Sequence, residues 1–268
     1  MERKGVPVQS IDRVFDIMEK LSNHSRGILL TELAAEVSLP KSTVYRLLVS
    51  LTNKGYAVKE TDSGKYRLTM RLFEIGSRAA GVRDMLATIR PCLDQLAETT
   101  GEVVHFVKRD GGSVIYIYKL DTSSASVRMT SAVGVRNPMY CTGVGKAILS
   151  CLPETEVQAI WDATNIQRYT EQTITTFAHM EQEMTRIVQD GYAIDNEEHE
   201  LGVCCVAAPI YDYSDQPVYA VSVSAPSTRM NEQRIQIIAP MVIRAAAELS
   251  QLLGATSNHG LIRKEFNN

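Results

Sequence analysis

The stretch from Ser38 to Leu68 constrains the fold more tightly than any other part of the chain. Ser38-Leu39-Pro40 reads as a turn, with Pro40 suited to a first helical position because its missing N–H has no intrahelical partner there. From about Lys41 to Asn53, Val44, Leu47, Leu48 and Leu51 fall on one side of a helix, leaving Lys41, Ser42, Thr43, Tyr45, Arg46 and Ser50 to the other faces and the N-terminal end. After Lys54-Gly55, Tyr56 and Val58 alternate with polar residues, Asp62-Ser63-Gly64-Lys65 makes a turn, and Tyr66 and Leu68 alternate again, which predicts a hairpin. Upstream, Ile11, Val14, Phe15, Met18 and Leu21 share a helix face behind Ser10 as N-cap. Leu30, Leu33, Ala34 and Val37 then mark a helix of about two turns that Thr31 helps to cap. Three helices followed by a hairpin is the order of a winged helix-turn-helix.

That order gives the polar residues of the third helix a chemistry. A helix lying in the major groove of DNA needs hydroxyls and a guanidinium near its N-terminus to reach phosphates and base edges, and Lys41, Ser42, Thr43, Tyr45 and Arg46 supply them. Lys65 and Arg67, expected on the returning strand, are placed to touch the sugar-phosphate backbone beside the groove, positioning the protein without reading sequence. Charge agrees: residues 1–83 hold 14 Lys+Arg against 9 Asp+Glu, and residues 84–268 hold 14 against 22. A basic segment joined to an acidic one is the pattern of a polyanion-binding module attached to a domain with another task. The implied partner is double-stranded DNA.

At 268 residues the chain is long enough for two cores. A helical stretch between Met70 and Gly81, with Leu72, Phe73 and Ile75, reads as a linker helix, and a second helix from about Met85 to Thr99 opens the larger unit. β-rich runs follow at Val103–Lys108, Ser113–Leu120 and Val127–Val133. Helices are expected at Gly143–Ser150, Glu154–Asp162 and Phe177–Gln189, strands at Tyr192–Asp195, Cys204–Tyr211 and Val218–Ser224, and a long helix at Asn231–Leu253. The fold class is α+β. The expected divisions are a winged helix-turn-helix at 1–69, a linker helix at 70–83, an effector-binding and oligomerisation domain at 84–254 and a flexible tail at 255–268.

Three segments resemble the IclR family of regulators. Leu39-Pro40-Lys41-Ser42-Thr43-Val44-Tyr45-Arg46-Leu47-Leu48, with Gly55-Tyr56 and Gly64-Lys65-Tyr66-Arg67-Leu68, is similar to its DNA-binding domain. Asn137-Pro138-Met139-Tyr140-Cys141-Thr142-Gly143-Val144-Gly145-Lys146-Ala147 resembles its central loop and helix, and the run from Asp195 to Pro209 its effector-domain signature. The resemblance implies a GAF-like second domain, an antiparallel sheet flanked by helices. It implies that Gly143 and Val144 present amides to an effector carboxylate, while Asp195, Cys205, Ser222 and Ser224 contact its other oxygens and Met129 and Val203 line an apolar wall. From the residues alone, Ser222, Ser224 and Cys205 read rather as small residues of a packed strand than as ligand contacts. The Arg136-Asn137-Pro138 loop and the Asp195-Asn196-Glu197-Glu198 run look most like family members that sense sugar-acid breakdown products such as 2-keto-3-deoxygluconate. A homodimer or homotetramer is expected, reading an approximately palindromic operator as a repressor that its effector relieves.

Other classes find less support. The longest apolar runs, such as Val203–Ala208, fall far short of the roughly 20 residues that span a bilayer, and the charged start leads into a mixed helix rather than a signal core, so a cytoplasmic protein is expected. Gly143-Val144-Gly145-Lys146-Ala147 suggests a P-loop, but Tyr140 stands in the place of its first glycine and Ala147 in that of its Ser/Thr. Five histidines are scattered and five cysteines form no CxxC pair, so neither a metal nor another cofactor is expected. The alternative function is a thiol redox enzyme or sensor using Cys141 and Cys205, for which the sequence shows no activating base.

Overall fold

The computed structural model describes residues 8–79, 82–121 and 131–256. The chain divides into two compact units, Met1–Asp84 and Met85–Asn268.

The first unit contains α1 (Gln9–Ser22), α2 (Leu30–Glu36), α3 (Lys41–Asn53), β1 (Ala57–Lys59), β2 (Tyr66–Leu68) and α4 (Arg71–Ala79). β1 and β2 pair antiparallel with Val58 opposite Arg67, and Ile28 bridges Tyr66 as a third, single-residue strand of the wing. Ile17, Leu21, Leu33, Val44, Leu48, Leu51 and Tyr66 close the core. In α1 the centre of the buried face is Ile17, while Ile11 and Phe15, expected on that face, are 52% and 56% exposed. The reason is width: apolar residues at 11, 14, 15, 17, 18 and 21 spread beyond the stripe that two short helices can cover. The helix also begins one residue before Ser10, behind Val8, without a side-chain cap. Pro40 occupies the N-cap of α3 rather than its first turn, and its carbonyl accepts from Thr43 N at 2.9 Å and Val44 N at 3.1 Å. In the hairpin Ala57 and Tyr66 are the buried positions, because strands of three residues leave room for one side chain each over the helices.

The second unit is one sheet between two helical layers. Its elements are α5 (Val82–Thr100), β3 (Val103–Asp110), β4 (Ser113–Leu120), β5 (Arg136–Pro138), α6 (Gly143–Leu149), α7 (Glu154–Ala163), α8 (Phe177–Asp190), β6 (Ala193–Asn196), β7 (Val203–Ile210), β8 (Tyr219–Pro226) and α9 (Glu232–Leu252). The strand order is β5-β4-β3-β8-β7-β6, and each neighbouring pair runs antiparallel. Of the run expected at Val127–Val133, residues 127–130 lie outside the described residues and 131–133 are not a strand. Among the described residues the chain forms its ladder with β4 at Arg136–Pro138, and just before it Gly134, at a φ of 89° that favours glycine, donates to the Tyr116 carbonyl at 2.8 Å while the Val135 carbonyl accepts from Tyr116 N at 3.1 Å.

Strand alternation assigns the two faces. On β8, Val221, Val223 and Ala225 point toward α5 and α9, joined there by Val104 and Phe106 of β3 and Val206, Ala208 and Ile210 of β7. Ala220, Ser222 and Ser224 take the alternate positions, on the side where Val107, Val114, Ala193 and Ala207 meet α6, α7 and α8. The β3–β4 register slips between Phe106 and Val107, so that Ile117 is an extra residue. This bulge lets Tyr116 face α6 while Tyr118 joins the other layer.

Candidate nucleic-acid interface and effector site

In the first unit Lys41, Ser42, Tyr45 and Arg46 are exposed along α3 and Thr43 is half-buried, while Val44, Leu48 and Leu51 anchor the opposite face. The helix therefore presents two hydroxyls, a phenol, an ammonium and a guanidinium from a rigid frame. Lys65 lies in the turn just before β2 rather than on the strand, and Arg67 on β2 is exposed. Arg67 already has a partner: its Nε donates to Glu60 Oε1 at 3.1 Å. Ser63 and Arg67 hydrogen bonds hold the Glu60 carboxyl below the usual range.

In the second unit, register decides which side chains meet. Asp195 pairs with Cys205 and Cys205 with Ser224, so one rung carries a carboxyl, a thiol and a hydroxyl across β6, β7 and β8. The next rung aligns Ala207, Ser222 and His105. Val203 lies two residues before Cys205 on the same face of β7, buried. Over these rungs stands the start of α6. A Cβ added at Gly143 would lie 3.3 Å from Asp195 N and 3.4 Å from Ala207 Cβ, so glycine is what lets the helix come down onto β6 and β7. Thr142 caps the helix, accepting from Gly145 N at 3.2 Å while its hydroxyl donates to the Pro138 carbonyl at 3.1 Å. Lys146 N is taken by the Thr142 carbonyl, which leaves the amides of Gly143 and Val144 as the first-turn donors without a helical acceptor. Gly143, Val144, Asp195, Cys205, Ser222, Ser224 and Val203 are thus brought together, and Met129 lies outside the described residues.

The structure adds residues that the sequence did not single out. His105 is buried at the sheet centre, with Nδ1 3.2 Å from Ser224 Oγ and 3.5 Å from Ser222 Oγ, and Nε2 2.9 Å from Ser131 Oγ. Burial, helped by the Lys119 charge, pushes its imidazole down to about 3, so it is neutral and orients hydroxyls rather than supplying charge. Lys146, 1% exposed, donates to Glu183 Oε1 at 3.0 Å and to Glu198 Oε1. Burial alone would lower the ammonium, but the two carboxylates hold it above the ordinary lysine range. The lysine of the apparent P-loop is therefore a buried bridge between helix α8 and the β6–β7 turn. That turn is firmly fixed: Glu197 has a left-handed φ of 60°, its carboxylate accepts from Gly202 N at 2.6 Å, and the Thr170 and Thr173 hydroxyls donate to the carbonyls of Glu197 and Glu198 at 2.6 Å. Only His105, a polar residue in an apolar strand, carried a hint in one dimension.

The thiols point away from redox chemistry. Burial, with the Asp195 and Glu198 charges, pushes the Cys141 thiol above its ordinary range, and burial with Asp195 does the same to Cys205. A catalytic or sensing cysteine needs the opposite shift. Among the described residues there is no group of acids, histidines and cysteines that could hold a metal ion, and no helix long and apolar enough to cross a membrane.

A winged helix-turn-helix with an exposed basic helix, joined to a separate unit with a polar cluster on its sheet, defines a class: a DNA-binding transcriptional regulator. Comparison with known proteins supplies the family. The helix-turn-helix domain of IclR matches residues 10–61, and the C-terminal domain of the bacterial transcriptional regulator IclR matches residues 77–251. The chain belongs to the IclR family. It is 35% identical over 254 residues to the HTH-type transcriptional regulator KdgR of Escherichia coli K12, covering 95% of this chain and 96% of that one. It is 33% identical to the acetate operon repressor of Salmonella typhimurium over 93% of this chain and 91% of the relative. The crystal structure of Thermotoga maritima IclR superposes with a TM-score of 0.77 at 29% identity, covering 92% of this chain and 99% of that one. These relatives are regulators, which leaves the thiol-enzyme reading without support.

Proposed function

We propose that this chain represses a sugar-acid catabolic operon and releases it when a small carboxylate or keto-acid effector occupies the second unit. The observation that carries the reading is the pair of rungs holding Asp195, Cys205 and Ser224, and Ser222 and His105, under the start of α6. A packed strand has no need of so many polar groups, whereas a small oxygen-rich anion needs several convergent partners at a preformed site. In this reading Gly143 and Val144 donate to the effector carboxylate, Asp195, Cys205, Ser222 and Ser224 meet its other oxygens, and Val203 and Met129 line the apolar side. The sugar-acid class is inferred from the likeness of the Arg136-Asn137-Pro138 loop and the Asp195–Glu198 run to family members that sense sugar-acid breakdown products.

On the DNA side, Lys41, Ser42, Thr43, Tyr45 and Arg46 read the major groove and Lys65 and Arg67 hold phosphates. A palindromic operator requires paired recognition helices, so the working form is a dimer or tetramer in the cytoplasm. Exposed apolar residues support self-association: Ile11 and Phe15 on α1, and Met70 and Phe73 at α4. Residues 1–69, 70–83 and 84–254 serve as DNA-binding, linking and effector-binding parts, with 255–268 as a tail.

The test uses full-length protein, an operator selected from a random-sequence pool, and a panel of keto acids and sugar acids that includes 2-keto-3-deoxygluconate. One acid is expected to raise the thermal midpoint and weaken operator binding by roughly 5- to 150-fold. Arg46→Ala should lose operator binding and keep the thermal shift, and Asp195→Ala should do the reverse. If no acid alters either quantity, the sugar-acid reading fails.

A further inference from the structure

Behind the rung that holds Asp195 lies an uneven set of charges. Three buried or largely buried carboxylates, those of Asp195, Glu198 and Glu183, face one ammonium, Lys146, and one guanidinium, Arg186. Glu183 takes both cations, bonding Lys146 at 3.0 Å and Arg186 at 2.9 Å through each of its oxygens, and its carboxyl falls to about 2 as a result, although burial opposes this. Arg186 also bonds Asp190 at 2.9 Å, so its charge is spent at the surface of α8. Glu198 has only its Oε1 on Lys146, while its Oε2 is buried with no hydrogen-bond partner. Asp195 is bonded through Oδ1 to the Glu198 backbone N–H at 2.8 Å, and no cation contacts it among the described residues. A buried carboxylate without a cation, beside another with an unsatisfied oxygen, is costly when both are ionised, and the cheapest relief is a proton.

We propose that Asp195 and Glu198 share one proton at neutral pH, so that the floor of the candidate effector site offers a hydrogen-bond donor where the sequence shows two acids. The groups facing Asp195 are consistent with this from every side. Burial and then the Glu198 charge push the Asp195 carboxyl up to about 7, against the pull of Lys146 on α6 and the backbone amides of Glu198 and His199. Burial first, and the Asp195 charge after it, push up Cys204 and Cys205 on β7, Cys141 before α6 and Tyr116 on β4, so they are neutral and offer Asp195 no counter-charge. With the thiol and both serine hydroxyls protonated as well, the site is rich in donors. It suits a ligand whose oxygen accepts, such as the keto oxygen of a 2-keto acid. This ligand class rests on the effector reading above, whereas the shared proton does not.

The experiment separates the two. Difference infrared spectra of the full-length protein and of D195N and E198Q, recorded between pH 4 and 9, report the C=O stretch of protonated carboxyls. A band lost in D195N or shifted in E198Q, and disappearing with a midpoint near 7, is the expected result. Its absence at pH 6, or a midpoint near 4, overturns the shared proton. On the same samples, calorimetry with 2-keto-3-deoxygluconate in two buffers of different ionisation heat is expected to show uptake approaching one proton at pH 8 and an affinity falling about tenfold per pH unit above 7. Binding without proton uptake overturns the donor role. No binding while the band persists refutes the effector class and leaves the shared proton standing.

Discussion

At the scale of single residues, the informative positions are those where a side chain is required by what lies behind it. Asp195 was legible as a candidate site residue because it stands in a recognisable run, but its electrostatics were not, because they depend on Lys146, Glu183 and Glu198 from α6, α8 and a turn far apart in sequence. Lys146 shows the limit most clearly. Its Gly-Val-Gly-Lys setting suggests phosphate chemistry, and only the fold reveals an ammonium enclosed by carboxylates. A stability prediction follows for Asp195. Its carboxyl titrates near 7 in the folded chain and near 4 in the unfolded one, so the folded state binds the proton more tightly, and stability is lost as pH rises from about 4 through 7. Asp195→Asn removes that dependence. Denaturant titrations at pH 5 and pH 8 should show the variant gaining on the parent at the higher pH, and equal differences at both would place the titration elsewhere.

At the scale of elements, helices were easier to read than strands. The 3.6-residue pattern located α3 and α8 to within a residue because each buries a single apolar stripe. It misjudged α1, whose apolar surface is wider than its buried face, and the β-rich run at Val127–Val133 did not mark where the edge strand pairs. The start of α6 was recognisable as a glycine-containing turn, yet the use of each glycine was not. At Gly145 an added Cβ would stand 2.3 Å from both Cα and O of Met139, backbone against backbone, with no flexible side chain to give way. Gly145→Ala must therefore push the helix off the loop that precedes it. A loss of about 1–3 kcal/mol is expected in chemical denaturation, the size of an overpacked core, together with loss of any effector response. Gly76→Ala, where an added Cβ meets nothing within 4 Å, is the control.

At the scale of the whole molecule, charge is distributed by unit, with residues 1–83 carrying an excess of five positive charges and residues 84–268 an excess of eight negative ones. Nucleic-acid affinity should reside in the first unit and fall steeply with salt, since each neutralised phosphate releases counterions. Lys65 and Arg67 should differ in this respect: Lys65→Ala should lower the slope of log affinity against log salt by about 1, equally on specific and random DNA. Arg67, already bonded to Glu60, should change it less. Identical slopes for the two variants would show that the Glu60 pairing breaks on DNA.

The strand order bears on how such a molecule stays separate from its neighbours in a crowded cell. Among the described residues, the long strands β3, β4, β7 and β8, of eight residues each, occupy the interior of the sheet, while its margins are β5, three residues ending in Pro138, and β6, four residues long. Margins so brief, one of them closed by a residue without an N–H, give an incoming chain almost nothing to zip onto. Edge-to-edge fusion into fibrils is thereby disfavoured.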